Sequence, residues 1–154
     1  MTPEEVWMRE AMAEAKAAAD AGEVPVGAII VFEGEIIGRG QNRVLRDLDP
    51  TAHAEVIALR EAARHRSNYR LTDCDLYTTL EPCSMCAGAI IHARIRRVAF
   101  AADDPKAGAA GSVLEVLNHP KLNHQLEISR GVMGIEAGEM LRQFFRDRRT
   151  AAQG

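Results

Sequence analysis

Cysteine is scarce in this chain, long apolar runs and low-complexity tracts are missing, and positive charge is not in excess. Each lack narrows what the protein can be. Three cysteines, two of them in Cys83-Ser84-Met85-Cys86, are an odd count that suits metal or redox chemistry better than a disulfide framework. The run from Ala87 to Ala93 is too short to span a membrane and is broken by His92, with Arg94 directly after it. The opening Met1-Thr2-Pro3-Glu4-Glu5 has neither the basic start nor the apolar stretch of a signal peptide, so a cytoplasmic location is expected. A formal charge of -3 means that any polynucleotide partner has to be met by a local basic patch.

What is present is the composition of a globular protein, 47% hydrophobic and 27% charged over 154 residues. One domain over 1–154 is expected, burying about 70% of the surface its unfolded form exposes.

Pro3 and the apolar positions Val6, Met8, Met12 and Ala15 predict an amphipathic helix ending near Ala21-Gly22. Val26 to Phe32 and Glu35 to Gly38, joined by Glu33-Gly34, predict a hairpin. A helix is predicted from Thr51 or Ala52 to His65, with His53-Ala54-Glu55 in its first turn. Asp75 to Thr79 reads as a strand, Pro82 as the first turn of a helix to His92, and Val98 to Ala101 as the next strand, which together make a parallel crossover. A short helix over Val113 to Leu117, a strand over Gln125 to Ser129 and a helix from Glu136 to Arg149 complete the reading. The fold class is α/β: three layers, α/β/α, around a central, mostly parallel mixed sheet of about five strands.

A metal site that does chemistry needs three protein ligands and a place left for water. His53, Cys83 and Cys86 supply that number in nitrogen and thiolate donors. Residues two apart on a helix normally diverge, but side chains of a first turn lean back and can converge beyond the helix end. Cys83 and Cys86, three apart after Pro82, share one face of their own first turn. Two helix dipoles then favour thiolate and developing negative charge, and the Cys83 amide is a candidate donor to it. Zinc is the expected metal on ligand type, although such donors accept other transition metals. It can bring the pKa of water from 15.7 toward about 7. Glu55, outside the ligand set, is then the expected catalytic residue, taking and returning protons.

Other readings stand beside this one. Cys-x-x-Cys alone can be redox-active or structural, and Cys74 as a fourth ligand would close the site into a structural Cys₃His zinc. A buried, apolar-like role is the simpler reading of Cys74. His-x-Glu with Pro-Cys-x-x-Cys, however, is the signature of zinc deaminases of nucleobases.

Three segments extend that signature: Glu23-Val24-Pro25-Val26-Gly27-Ala28, Pro50-Thr51-Ala52-His53-Ala54-Glu55, and Leu80-Glu81-Pro82-Cys83-Ser84-Met85-Cys86-Ala87-Gly88-Ala89. To them are added Asp104-Pro105-Lys106, Gly108-Ala109-Ala110-Gly111-Ser112, Asn123-His124 and Phe144-Phe145. With these residues the chain resembles the cytidine deaminase superfamily over nearly its whole length, and within it the branch that edits transfer RNA. The resemblance implies hydrolytic conversion of adenosine to inosine at the wobble position of an arginine transfer RNA, with one zinc per subunit. It implies that Asn42 holds the flipped nucleotide through base or ribose, where the residues alone suggest only a turn after a strand. Gln41 stands where relatives vary. The resemblance also places Asp103, Asp104 and Lys106 in an RNA-contacting loop and implies a homodimer with RNA contacts from both subunits. Small residues at Ala87, Gly88 and Ala89 permit close helix packing, between subunits or within one.

Arg142, Arg146, Arg148 and Arg149 lie beside Phe144 and Phe145, which point about 100° apart on a helix, so one can pack while the other meets RNA. Which does which stays open, and the charges alone suit a solvated helix face. Arg94, Arg96 and Arg97 suit a surface turn or an RNA contact equally. Two rival functions remain: a deaminase of free guanine, cytosine or cytidine, and a zinc-stabilised binding module in which Glu55 has no chemical task.

Overall fold

The computed structural model describes residues 1–153. Thr2 accepts a hydrogen bond from the Glu5 amide and Pro3 occupies the first turn, starting helix α1 over Pro3–Asp20. The hairpin follows, β1 over Gly27–Phe32 and β2 over Glu35–Gln41. Its turn residues Glu33 and Gly34 both have positive φ, 50° and 76°, the twist that a two-residue hairpin requires. Next come α2 (Ala54–Arg66), β3 (Asp75–Leu80), α3 (Ser84–His92), β4 (Arg97–Ala102), β5 (Glu127–Arg130) and α4 (Gly134–Gln153).

The five strands form one sheet in the order β2-β1-β3-β4-β5. β1 is antiparallel to both β2 and β3, while β3, β4 and β5 pair in parallel. β1 therefore runs against the other four. Period-two alternation splits the sheet into two apolar faces. Ala28, Ile30, Leu76, Val98 and Phe100 meet Ala54, Ala58 and Ala62 of α2 and Ala87, Ile90 and Ile91 of α3. Ile29, Val31, Tyr77, Ala99 and Ala101 meet Met8 and Ala11 of α1 and Ala137 of α4. The layers are α/β/α, in agreement with the fold class read from sequence. Among the described residues no helix is long and apolar enough to cross a membrane.

α2 lies unusually low on the sheet. A Cβ at Gly38 would stand 2.3 Å from the Ala58 carbonyl oxygen, and one at Gly40 would stand 2.0 Å from that of Ala54. Bare backbone at these positions brings the N-terminus of α2 down beside the ends of the strands.

Two sequence expectations need correction. α2 begins at Ala54 rather than Thr51 or Ala52, and α3 at Ser84, because His53 and Cys83 are extended and occupy the positions just before each helix. No helix forms over Val113 to Leu117. Gly111 has φ +121°, Ser112 is bonded to Glu81, and the Val113 and Leu114 amides both donate to the Gly108 carbonyl, so that segment turns instead.

Candidate metal and catalytic site

Helix entry positions usually hold Ser, Thr, Asp or Asn, whose side chains satisfy the free amides of the first turn. Here they hold His53 for α2 and Cys83 for α3, and neither side chain caps its helix. They turn toward each other. His53 Nδ1 lies 3.5 Å from Cys83 Sγ and 3.4 Å from Cys86 Sγ, and the three donor atoms all fall within 4.8 Å of one another. Tetrahedral zinc, with its usual bond lengths to nitrogen and sulfur, sets such donors about 3.5 Å apart, so one imidazole and two sulfurs fit that ion. Cys74 is not part of the group. It is buried in the core, its thiol donating to the Thr72 carbonyl at 3.7 Å and lying 3.5 Å from Arg66 Nη1.

The electrostatics suit a cation. A hydrogen bond from the Cys86 thiol is the largest cause holding the Cys83 thiol down to about 3, and the same bond pushes Cys86 up. A bound cation would displace any thiol proton there, since sulfur ligates as thiolate. His53 is raised, first by its hydrogen bond with Cys83. Both helix N-termini add positive partial charge where the sulfurs converge.

Glu55, in the first turn of α2, is buried at 4% exposure, and that burial pushes its carboxyl up to about 7. It lines a cavity of about 220 Å³ with His53, Cys83, Asn42, Glu81 and Asp104. The cavity has room for a small ring, with three potential metal donors beside it and a carboxyl raised by burial along its wall.

Asn42 and Asp104 both line the cavity. Asn42 Nδ2 donates to the Val24 carbonyl at 3.4 Å, and its Oδ1 accepts from the Val44 amide at 3.3 Å. Asp103 and Lys106 stand on the outer side of the same loop, in a groove with Arg142 and Phe145. Phe145 is 43% exposed there, and Lys106, Arg142, Arg146 and Arg149 gather around it. Phe144 turns the other way, with the Arg148 guanidinium 5.1 Å from its ring and Arg148 donating to the Gly22 carbonyl at the end of α1. The structure brings neither Phe144 nor Arg148 to the cavity side.

Two residues of the site carried no assigned role in the sequence. Glu23, wholly buried, accepts from the Leu45 and Arg46 amides and from Arg46 Nε, tying down the loop that carries Asn42. Glu81, 1% exposed, accepts from the Asp104, Ala110 and Ser112 amides and the Ser112 hydroxyl. Burial opposes ionisation of both, and these donors outweigh it, holding each carboxyl below its ordinary value. For Glu81 the signal in the sequence was an acid between apolar Leu80 and the Pro82-Cys83 motif, and for Glu23 an acid leading the apolar Val24-Pro25-Val26.

Comparison with known proteins gives a consistent picture. The family model of MafB19-like deaminases matches residues 2–149. A tRNA-specific adenosine deaminase of Haemophilus influenzae is 49% identical over 147 residues, 95% of this chain and 85% of that protein. A solved structure from work on A-to-I editing by tRNA:A34 deaminases at the wobble position is 42% identical, with TM-score 0.84 over 88% of this chain and 98% of that one. The guanine deaminase of Bacillus subtilis is 46% identical, with TM-score 0.65 over 72% of this chain and 71% of that one.

Proposed function

The chain belongs to the MafB19-like deaminase family, and from that premise we propose that it hydrolyses adenosine to inosine at the wobble position of a transfer RNA, an arginine transfer RNA first among candidates. The observation that carries this reading is the buried Glu55 beside the His53, Cys83 and Cys86 triangle at the floor of one small cavity. Relatives that match nearly the full chain act on transfer RNA by name, which supports the substrate.

His53 Nδ1 and the two sulfurs would hold zinc, one ion per subunit. Bound there, zinc supplies Lewis acidity that lowers the pKa of water from 15.7 to about 7. Glu55 accepts a proton from the attacking water and passes it to a ring nitrogen as oxygen bonds to C6. It then carries the second proton to the amine as the C6–N bond breaks. Adenosine and water become inosine and ammonia. The cavity walls Asn42 and Asp104 hold the nucleotide, and its apolar lining from Val24, Val26 and Leu80 excludes bulk water. Flanking bases stack on Phe145, and Lys106, Arg142, Arg146 and Arg149 take phosphates. In this reading Phe144 and Arg148 brace α4 against α1, and the Arg130 guanidinium, 3.7 Å from Asp103, steadies the RNA-facing loop. The enzyme works as a cytoplasmic homodimer. A Cβ at Gly88 of α3 would meet nothing within 4 Å, and Leu48 beyond β2 is 89% exposed, leaving room and apolar surface for a second copy.

A second reading, a deaminase of a free base, draws on the likeness to guanine deaminase. It predicts indifference to loss of Phe145 and the terminal arginines. The deciding experiment offers zinc-loaded protein an arginine anticodon stem-loop with adenosine at the wobble position, alongside free adenosine, cytidine and guanine. Inosine in the stem-loop is expected, abolished by Glu55→Ala with zinc retained. Ammonia from guanine with the stem-loop untouched overturns the transfer-RNA substrate.

A further inference from the structure

Between the last residue of β3 and the first cysteine stands a buried acid that the chemistry does not use. Glu81 is pinned by its own backbone, its amide donating to the Ala102 carbonyl at the end of β4 at 2.8 Å. Its side chain turns into the loop that follows β4. Oε1 accepts from the Asp104 amide at 3.0 Å and from the Ser112 hydroxyl. Oε2 accepts from the Ala110 amide at 2.9 Å and the Ser112 amide at 3.1 Å. A carboxylate offers about four lone-pair sites, so these donors leave none for a metal or a substrate. The contact is close: a Cβ at Gly108 would lie 2.4 Å from Glu81 Cδ.

From its outer side the same loop is held once more. Arg130 Nη1 donates to the Ala110 carbonyl at 2.8 Å, and Nη2 lies 3.7 Å from Asp103. Between these fixings the loop presents Asp104 and Ala107 to the cavity that Glu55 and His53 line. The short segment Leu80 to Cys83 thus carries both a candidate metal ligand and the anchor of the facing wall.

We propose that Glu81 is a positioning residue for the nucleotide: by gathering the 104–112 loop onto itself it sets the wall of the reaction cavity, and so governs substrate affinity without entering the chemistry. This rests on the reading of the cavity as a nucleotide site. On the cavity side the loop is gathered by one carboxylate, with Arg130 holding it from outside, and the substitution that matters is isosteric. Glu81→Gln keeps the volume and turns an NH₂ group toward either the Asp104 amide or the pair from Ala110 and Ser112, so that donor faces donor.

The test measures stem-loop deamination and amide hydrogen exchange on zinc-loaded wild type and Glu81→Gln. KM should rise by about ten-fold or more, the equivalent of about 1.4 kcal/mol, with kcat within about three-fold and zinc per chain unchanged. Exchange should quicken at the amides of Asp104, Ala110 and Ser112 and stay as it was in β1 and β4. A collapse of kcat at unchanged KM overturns the proposal in favour of a chemical role, and unchanged KM overturns it outright. Should Glu81→Gln fail to fold, Ser112→Ala removes the hydroxyl donor alone. A smaller rise in KM then supports the proposal and an unchanged KM sinks it. Wild-type protein that leaves the stem-loop unedited defeats the substrate reading instead. Exchange at the three amides then decides separately whether Glu81 holds the wall, since unchanged exchange in Glu81→Gln means that it does not.

Discussion

Burying Glu55 has to cost stability, and the cost is measurable in chelator-treated protein. Its carboxyl is pushed up to about 7 from an ordinary 4.5, first by desolvation. Because the folded state holds the proton more tightly than the unfolded one, stability from this group is fully present below pH about 4.5 and is lost as pH rises through about 7. At 1.36 kcal/mol per pH unit the whole loss is about 3 kcal/mol, most of which falls between about pH 5 and about pH 8. Glu55→Gln keeps the shape and cannot ionise. Urea unfolding of chelator-treated wild type and Glu55→Gln at those two pH values isolates the effect, since the ionisations of residues far from Glu55 cancel in the comparison. The variant should gain on wild type by most of that amount as pH rises from about 5 to about 8. An equal difference at both values would refute the reasoning, showing that the buried carboxylate is stabilised by something other than a bound cation.

Four further outcomes are expected. Cys74→Ala should retain one zinc per chain by metal analysis, because its thiol lies in the core, bonded to the Thr72 carbonyl, outside the donor group; loss of zinc would restore the closed Cys₃His site. Phe145→Ala should weaken stem-loop binding by about ten-fold in a titration, as loss of one stacked base implies, with the melting temperature unchanged. Phe144→Ala should do the reverse, lowering the melting temperature and leaving binding alone. Gly40→Ala should cost about 1–3 kcal/mol in urea unfolding and weaken zinc binding, since its Cβ would stand 2.0 Å from the Ala54 carbonyl oxygen and must lift the start of α2.

The parts of this molecule legible in its sequence are those governed by short-range rules. The β-branched Ile29, Ile30 and Val31 and the Glu33-Gly34 turn specify a hairpin locally, and the structure has one. His53, Glu55, Cys83 and Cys86 were legible because helix starts make side chains converge at fixed spacings. The apolar cluster Val113, Leu114, Val116 and Leu117 looked helical by the same kind of rule and is not. Val113 and Leu114 are 50% and 49% exposed, while Leu117 is buried, and the Val116 and Leu117 amides that helical bonds would have used go to the Ala109 carbonyl. A turn closed on Gly108 and Ala109, with Ser112 drawn to Glu81 31 residues away, decided that segment, and apolar spacing alone carries neither. The same holds for Phe144 and Phe145, adjacent in sequence and assigned to opposite sides only by the positions of α1 and the 103–107 loop.

Three glutamates are the only buried acids among the described residues, and all three stand at this site or at the loops that shape it. Glu23 and Glu81 hold their charge against burial because backbone amides from loops 22 to 31 residues away point at them. Glu55 has no such set of distant amides, and its carboxyl rises instead of falling. A carboxylate saturated with donors can fix a loop but has no lone pair left to move a proton. One buried with few donors can move a proton and fixes nothing. The proposed division of labour therefore follows from where the backbone amides are, which is why a sequence shows the proposed proton carrier, set by its spacing from His53, and hides the two anchors, set by the folded loops.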